Sequence, residues 1–291
     1  MQLGKLGVWS GLDGLTSAET AAYARRIEAW GYGALWQPES VGRNVLVHSA
    51  WLLANTTRLI VASGIANIYA RDAMSMASAH QGLCEQSGGR FLLGMGVSHA
   101  PMVADLRGHH YGKPLAAMRT YLEAMHKAPY RAPQPFEKPR AVIAALGPKM
   151  LALAAECADG AHPYNVTPEH TAEARKILGP GKLLCVEQKV ILETDAATAR
   201  AAGRKMLSMY LGLENYTSNW RRMGFSDNDL AAGGSDRLID AMFVWGDERA
   251  LRTRIQQHWD AGADHVCIQP VDRLGEGSVD ERALIALAPI P

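Results

Sequence analysis

A (β/α)8 TIM barrel of the α/β class, carrying two insertion segments, is the fold that this 291-residue sequence predicts. Three observations lead there. Eight short apolar runs recur, at residues 6–9, 33–37, 58–64, 90–95, 141–146, 160–164, 184–192 and 265–269. Several are apolar at consecutive positions, as in Leu59-Ile60-Val61-Ala62 and Ala141-Val142-Ile143-Ala144, which suits parallel strands covered on both faces. Amphipathic segments of helical period separate the runs, and eight such repeats over this length close into a barrel. A doubly wound open sheet is the alternative that the same alternation allows.

Each element has its own local signal. The first strand ends at Ser10-Gly11, and Thr16-x-x-Glu19 then spells a capping box, in which hydroxyl and carboxylate each satisfy a free backbone N–H. Gly31 stands where that helix should stop, a place that favours a left-handed residue. The second strand ends at Pro38-Glu39-Ser40, and the third runs into Gly64-Ile65-Ala66-Asn67 with Arg71 beyond. Gly88-Gly89 stops the next helix, and the fourth strand runs into Gly94-Met95-Gly96-Val97-Ser98-His99. A long connection, residues 98–114, leads to a helix marked by Leu115, Met118, Leu122 and Met125. Pro129, Pro133, Pro135 and Pro139 stiffen the link to the fifth strand, which gives way to Gly147-Pro148-Lys149. Met150, Leu153, Ala154 and Cys157 keep helical spacing, and the sixth strand delivers His162-Pro163-Tyr164-Asn165. After the seventh strand comes a second long connection, residues 211–239, with a short helix over about 235–242. Leu251, Ile255 and Trp259 mark the last helix of the pattern, Gly262 its end, and Gln269-Pro270 the end of the eighth strand. Residues 1–291 thus read as a single domain, with the two long connections as insertions of the kind that often serve function.

Composition narrows the function classes. Hydrophobic residues make up 48% and charged residues 20%, the profile of a globular chain. A net charge of +1 gives no electrostatic reason to expect nucleic acid as a partner. No apolar run approaches the roughly 18 residues of a membrane span, and Met1-Gln2-Leu3-Gly4-Lys5 lacks an export pattern. Cys84, Cys157, Cys185 and Cys267 are widely spaced within apolar surroundings, as expected of reduced thiols in a cytoplasmic protein. No metal site is expected, because His109 and His110 are adjacent and point apart on any regular element. Neither a P-loop, a G-x-S-x-G elbow nor an H-E-x-x-H helix occurs, and Gly94-x-Gly96-x-x-His99 lacks the third glycine of a dinucleotide fingerprint.

Barrel enzymes hold their chemistry at the C-terminal ends of the strands, and polar and glycine residues gather at those ends here. Gly147-Pro148-Lys149 adds a specific feature. Proline is favoured at a first helical turn, and a helix start beside a lysine attracts phosphate or another anion. An ordinary capped helix start would carry the same residues.

Several stretches, taken in order, carry a family likeness. Ala62-Ser63-Gly64-Ile65-Ala66-Asn67 with Arg71-Asp72, and Ser87-Gly88-Gly89-Arg90-Phe91-Leu92-Leu93-Gly94-Met95-Gly96, are the first two. Ala154-Ala155-Glu156-Cys157-Ala158-Asp159-Gly160 and Ala261-Gly262-Ala263-Asp264-His265-Val266 follow in register with the repeats. In these motifs the chain resembles the bacterial luciferase-like flavin-type oxidoreductases, and among them the branch that uses the deazaflavin coenzyme F420.

That resemblance implies an enzyme whose tricyclic cofactor ring lies across the strand ends, acting on a small-molecule substrate. It implies ring contacts from Gly64, Ile65, Ala66 and Asn67, with Gly64–Ile65 matching a cis peptide found in many members. Gly96, Val97 and Ser98 match the stretch beside the ring's polar edge; Ala145, Leu146, Gly147, Pro148 and Lys149 match the stretch near the phosphate. His162 and Tyr164 lie at the next strand end, and Arg71 is a candidate partner for the cofactor's acidic tail. A homodimer is implied as well. One departure matters: several members have histidine after the acidic residue of strand 2, whereas here Glu39 is followed by Ser40. Glu39, Ser98 and His99 therefore stand as the candidate catalytic residues. Glu39 reads equally as a partner for a loop N–H or an arginine. Hydride transfer between coenzyme F420 and an organic substrate is the expected reaction. An FMN-dependent monooxygenase and a non-catalytic cofactor-binding protein are the alternatives.

Overall fold

Among the described residues, ten strands build the sheet: β1 (Leu6–Trp9), β2 (Ala34–Gln37), β3 (Ile60–Ser63), β4 (Ala66–Asn67), β5 (Phe91–Gly96), β6 (Ala141–Ile143), β7 (Gly160–Ala161), β8 (Leu183–Leu192), β9 (Phe243–Gly246) and β10 (His265–Pro270). All of β1, β2, β3, β5, β6, β7, β8 and β10 run parallel to their neighbours, and β10 pairs with both β8 and β1, so the ring closes at eight strands. This computed structural model describes residues 1–275 and 279–289. The open-sheet alternative is thereby removed, and the predicted eight runs are the eight barrel strands. The two extra strands are accessory. β4 continues the third strand and pairs with β5, and β9 pairs with the outer half of β8.

The sequence reading did not anticipate β9. Phe243 follows Met242, the last residue of a helix, with no turn residue between them, so the apolar run reads as continued helix.

The helices around the ring are α1 (Ser17–Ala29), α2 (Val45–Ala54), α3 (Ala73–Gln86), α4 (Pro114–Lys127), α5 (Pro148–Cys157), α6 (Pro168–Leu178), α7 (Ala196–Leu211), α8 (Glu214–Arg222), α9 (Asp227–Leu230), α10 (Asp236–Met242), α11 (Glu248–Asp260) and α12 (Glu281–Leu287). The predicted capping box opens α1: Thr16 Oγ1 accepts from the Glu19 N–H while the Thr16 N–H donates to Glu19 Oε2 at 2.7 Å. Gly262, predicted to end α11, has a φ of +100°.

Strand alternation sorts the core into two shells. Trp9, Ala34, Trp36, Ile60, Ala62, Leu92, Val142, Cys185 and Cys267 fill the barrel interior. Val8, Leu35, Val61, Leu93, Ile143 and Val186 face outward and pack with Ile27, Leu52, Met76 and Leu151 of the helices. A third cluster, including Ile191, Leu207, Trp220, Leu238 and Phe243, joins the second insertion to β8 and to the segments on either side of it.

That insertion differs from the long connection expected at residues 211–239. It folds into α8, α9 and α10, with capping at Ser226 and Ser235. The polar clusters that suggested a loop are helix caps. The first insertion, 98–114, holds one π-helical turn at Pro101–Asp105 and is otherwise irregular up to α4. Among the described residues no helix is long and apolar enough to cross a membrane.

Candidate active site

Strand 3 breaks at its end. Gly64–Ile65 is a cis peptide, followed by β4, whose Ala66 and Asn67 pair with Met95 and Gly96 of β5. The break is held from three sides: Trp9 Nε1 donates to Gly64 O at 2.9 Å, the Gly64 N–H donates to Gln37 O at 2.8 Å, and the Glu39 N–H donates to Ile65 O. Ile65 in turn lies against Gly96, where an added Cβ would come within 2.8 Å of its side chain. The predicted cofactor residues of β3, β4 and β5 are thus in mutual contact.

Glu39 lies beneath this break with its side chain 4% exposed. Its Oε2 accepts from the Asn67 N–H at 2.8 Å, and its Oε1 meets the Val45 N–H and the Arg71 guanidinium. The carboxylate is therefore engaged on both oxygens. Arg71, expected to reach an acidic cofactor tail, is committed to Glu39 and only 10% exposed at its side chain. A buried ion pair of this kind has no spare charge for a flexible, solvated tail.

After β5 the backbone turns through Ser98, whose φ of +56° is in the left-handed region. Its carbonyl accepts from Tyr111 Oη at 3.2 Å, which ties the first insertion to the strand end. His99 is part-buried; burial lowers its pKa while a hydrogen bond with Asn215 raises it. Its ring lies 5.6 Å from Tyr216 of α8.

On the next strand ends, the predicted helix start is present: Gly147 caps α5 without a side-chain hydrogen bond, and Pro148 occupies the first turn. Ala145 is buried, whereas Pro148 and Lys149 are exposed at the rim. His162 points into the barrel and stacks on Trp36 at 4.5 Å. Its Nδ1 donates to Cys185 O at 2.8 Å, and its Nε2 is buried without a partner. Burial holds its pKa down at about 4, so the ring is neutral at physiological pH. Trp36 is core and not pocket wall, since it is fully buried and donates to His265 Nε2 at 3.0 Å.

One cluster was missed in the sequence. Glu187 and Lys189, two apart on β8, point to the same face and are buried inside the barrel. Lys189 Nζ donates to Asn165 Oδ1 at 2.6 Å and to Glu187 at 3.2 Å, and lies 3.8 Å from the centre of the Tyr164 ring. Tyr164 Oη donates to Gln269 Oε1 at 2.8 Å and meets Tyr210 Oη at 2.7 Å. Burial pushes the Glu187 pKa up and the Lys189 pKa down, while their mutual attraction opposes both shifts. The signal was available: Glu187-Gln188-Lys189 interrupts an otherwise apolar strand, and buried charges need partners.

A closed (β/α)8 ring with engaged carboxylates, a neutral buried histidine and an uncapped helix start at its strand ends has the architecture of a barrel enzyme. The chain belongs to the luciferase-like monooxygenase family, whose model matches residues 2–265. A Mycobacterium tuberculosis protein provisionally named a coenzyme F420-dependent oxidoreductase is 27% identical, over 90% of this chain and 92% of that one. Among solved structures, the coenzyme F420-dependent tetrahydromethanopterin reductase of Methanopyrus kandleri superposes with a TM-score of 0.72 at 17% identity, covering 98% of this chain and 96% of that one. The FMN complex of the oxygenating constituent of 3,6-diketocamphane monooxygenase from Pseudomonas putida gives 0.67 at 16% identity, covering 98% and 96%. These two structural likenesses speak for the shared fold; the family match makes the chain an oxidoreductase of the luciferase-like class.

Proposed function

We propose that the protein binds coenzyme F420 across the strand ends and transfers a hydride between it and a small organic substrate. The observation that carries this reading is the break after β3, where Trp9 Nε1 holds Gly64 O, Ile65 lies against Gly96 and β4 pairs with β5. It offers a backbone shelf at the strand ends, the end of the barrel where the α5 start at Gly147 also stands, and so supports a planar ring joined to a phosphate. The donor set fits the group: free helix-start N–H groups for the phosphate, and backbone of residues 64–67 and 96–98 for the ring.

When bound, the deazaflavin supplies the two-electron hydride chemistry. The chain's own residues do the rest. Gly64, Ile65, Ala66 and Asn67 support one face of the ring, and Gly96, Val97 and Ser98 border its polar edge. Ala145, Leu146, Gly147, Pro148 and Lys149 hold the phosphate, and His162 and Tyr164 close the floor. His99 is the group best suited to exchange a proton as hydride moves, with Ser98 beside it. Glu39 acts through Arg71 and Asn67, keeping the shelf in shape. A homodimer fits the exposed apolar side chains of Val47 and Trp51 on α2 and Met74 on the neighbouring α3.

Titration of the purified protein with coenzyme F420 and, separately, with FMN tests the reading, followed by a turnover assay against alcohols, aldehydes and enones. Binding of F420 with substrate-dependent change in its absorbance is the expected result. Tight FMN binding without F420 binding would overturn it in favour of a monooxygenase, the reading that the FMN-bound structural neighbour supports. Binding without turnover across the panel would leave a cofactor-binding protein.

A further inference from the structure

The helical insertion lies across the strand ends and touches the site at several points. Asn215 lies close enough to His99 after β5 to raise its pKa. Tyr216 packs its ring 5.6 Å from His99 and 6.1 Å from Tyr164, so it bridges two strand ends. Trp220 Nε1 donates to Asn165 O at 3.2 Å. Two residues later α8 ends at Arg222, whose Nη2 would stand 3.2 Å from a Cβ placed on Gly147. The last residue of α8 is therefore set against the first turn of α5.

That placement is electrostatically odd. A helix start is the positive end of its dipole, and Lys149 already stands in the first turn of α5. The other arginines of α7 to α10 each meet a carboxylate: Arg200 with Asp240, Arg204 with Asp236, Arg221 with Asp227 and Arg237 with Asp229. Among the described residues, Arg222 meets none, and its side-chain acceptor is Asn219 Oδ1 at 2.9 Å on its own helix. His170 lies at the same place. Its Nε2 donates to Leu146 O at 2.7 Å, its Nδ1 is buried without a partner, and the charges of Glu173 and, more weakly, Arg222 act on it in opposite directions. An arginine with no carboxylate partner among the described residues, set against an uncapped helix start, is matched by a phosphate.

We propose that Arg222, together with Lys149 and the start of α5, grips the phosphate of the cofactor, and that phosphate binding latches α8 over the ring. The proposal rests on the cofactor reading above and adds to it a residue that no strand end supplies. The acidic phosphate meets the Arg222 guanidinium at the helix start, and the helix that carries Arg222 also carries the Tyr216 and Trp220 contacts to the site. Holding the phosphate and closing the mouth become one event.

Four proteins test it: the natural chain, Arg222→Gln, Arg222→Lys, and Arg221→Gln as a control on the same helix. Each is titrated with coenzyme F420 and with the same deazaflavin cut back to its phosphate-free ribityl alcohol. Arg222→Gln is expected to weaken F420 binding by about tenfold to a hundredfold, as for loss of one charge-assisted hydrogen bond, and to leave the phosphate-free compound unaffected. Arg222→Lys recovers part of the loss, and Arg221→Gln behaves as the natural chain. F420 is also expected to protect α8 from limited proteolysis in the natural chain but not in Arg222→Gln. Unchanged F420 affinity in Arg222→Gln, or equal losses for both compounds, overturns the proposal, the second result meaning that Arg222 only supports the fold. If the natural chain binds neither F420 nor FMN, the cofactor reading fails, and titration with inorganic pyrophosphate decides about Arg222. Pyrophosphate binding that is lost in Arg222→Gln keeps the anion grip; no binding removes it as well.

Discussion

Lys189 sets its ammonium 3.8 Å from the centre of the Tyr164 ring, inside a barrel where its side chain has no exposure to solvent. The contact joins the charge pair of β8 to a side chain at the floor of the proposed site. Removing one member of a buried pair leaves the other charge unpaired, at a cost of about 3–5 kcal/mol. Lys189→Met is therefore expected to lower unfolding stability by that order. The double variant Lys189→Met/Glu187→Gln should be more stable than Lys189→Met alone, since it leaves no orphan charge. Urea unfolding of the three proteins measures this, and a double variant less stable than the single would refute the pairing.

Glu39 and Arg71 make the second buried pair, and its function is geometric. With both Glu39 oxygens occupied by the Asn67 and Val45 N–H groups and by Arg71, Glu39→Gln disturbs the loop that follows the cis peptide. Cofactor affinity should fall by about 1–3 kcal/mol, the range for loss of a charged hydrogen-bond partner, while the pH profile of turnover keeps its shape. Loss of turnover at unchanged affinity, with one limb of the profile gone, would instead make Glu39 a proton-transfer group.

Acid should loosen the fold well before carboxylates titrate. His80, His162 and His265 have pKa values held down at about 4 and His258 at about 3, each chiefly by burial, from an ordinary 6.5. Between those values the unfolded chain binds protons that the folded chain refuses. Stability is thus complete above pH 6.5 and declines as pH falls towards 4, by up to about 1.4 kcal/mol per pH unit for each histidine. His265→Gln should reduce that slope, because an amide can still donate to Gly4 O and accept from Trp36. Urea midpoints at pH 7.5, 6.5, 5.5 and 4.5 give the answer, and a flat series would contradict it.

Association should run through α2. Val47 is 71% exposed and Trp51 42%, one turn apart on the same face, an unusual outlay of large apolar groups on solvent. Val47→Glu is expected to convert a dimer to a monomer in sedimentation velocity without changing the circular dichroism. A natural chain that sediments as a monomer removes the dimer.

How much of this was legible beforehand follows the range of each interaction. The eight barrel strands and the α1 and α5 starts were readable because periodicity and caps act over a few residues, as Thr16 with Glu19 and Gly147 with Pro148 show. The commitment of Arg71 to Glu39 was only one of the options, because a pair 32 residues apart is decided by closure of the ring. Arg222 at Gly147 was not visible at all. Its position depends on α8, which the polar residues around it disguised as loop. Glu187 and Lys189 could have been found from their spacing of two, which places both on one face of a strand that is buried on both sides.

Two glycines of β5, two residues apart, should respond to alanine in opposite ways. A Cβ on Gly94 would stand 2.0 Å from Ser63 O, a backbone atom that cannot yield, since the Ser63 side chain also bonds Gly94 through both its N–H and its carbonyl. Gly94→Ala must push β3 away from β5 and should cost at least the 1–3 kcal/mol usual for overpacking. A Cβ on Gly96 meets Ile65 Cδ1 and Cγ1 at 2.8 Å and the Ala144 Cβ at 3.2 Å, side-chain atoms and no backbone, so the fold has to yield less than at Gly94. Ile65, however, belongs to the backbone that supports the ring in the proposed function, so its displacement disturbs the shelf itself. Gly96→Ala is therefore expected to melt close to the natural chain yet bind the deazaflavin at least about tenfold more weakly, a change of 1.4 kcal/mol. Thermal unfolding and fluorescence titration of both variants separate the two effects. Unimpaired cofactor binding by a well-folded Gly96→Ala would mean that the ring does not rest on Ile65, and the shelf would have to be sought elsewhere along the strand ends.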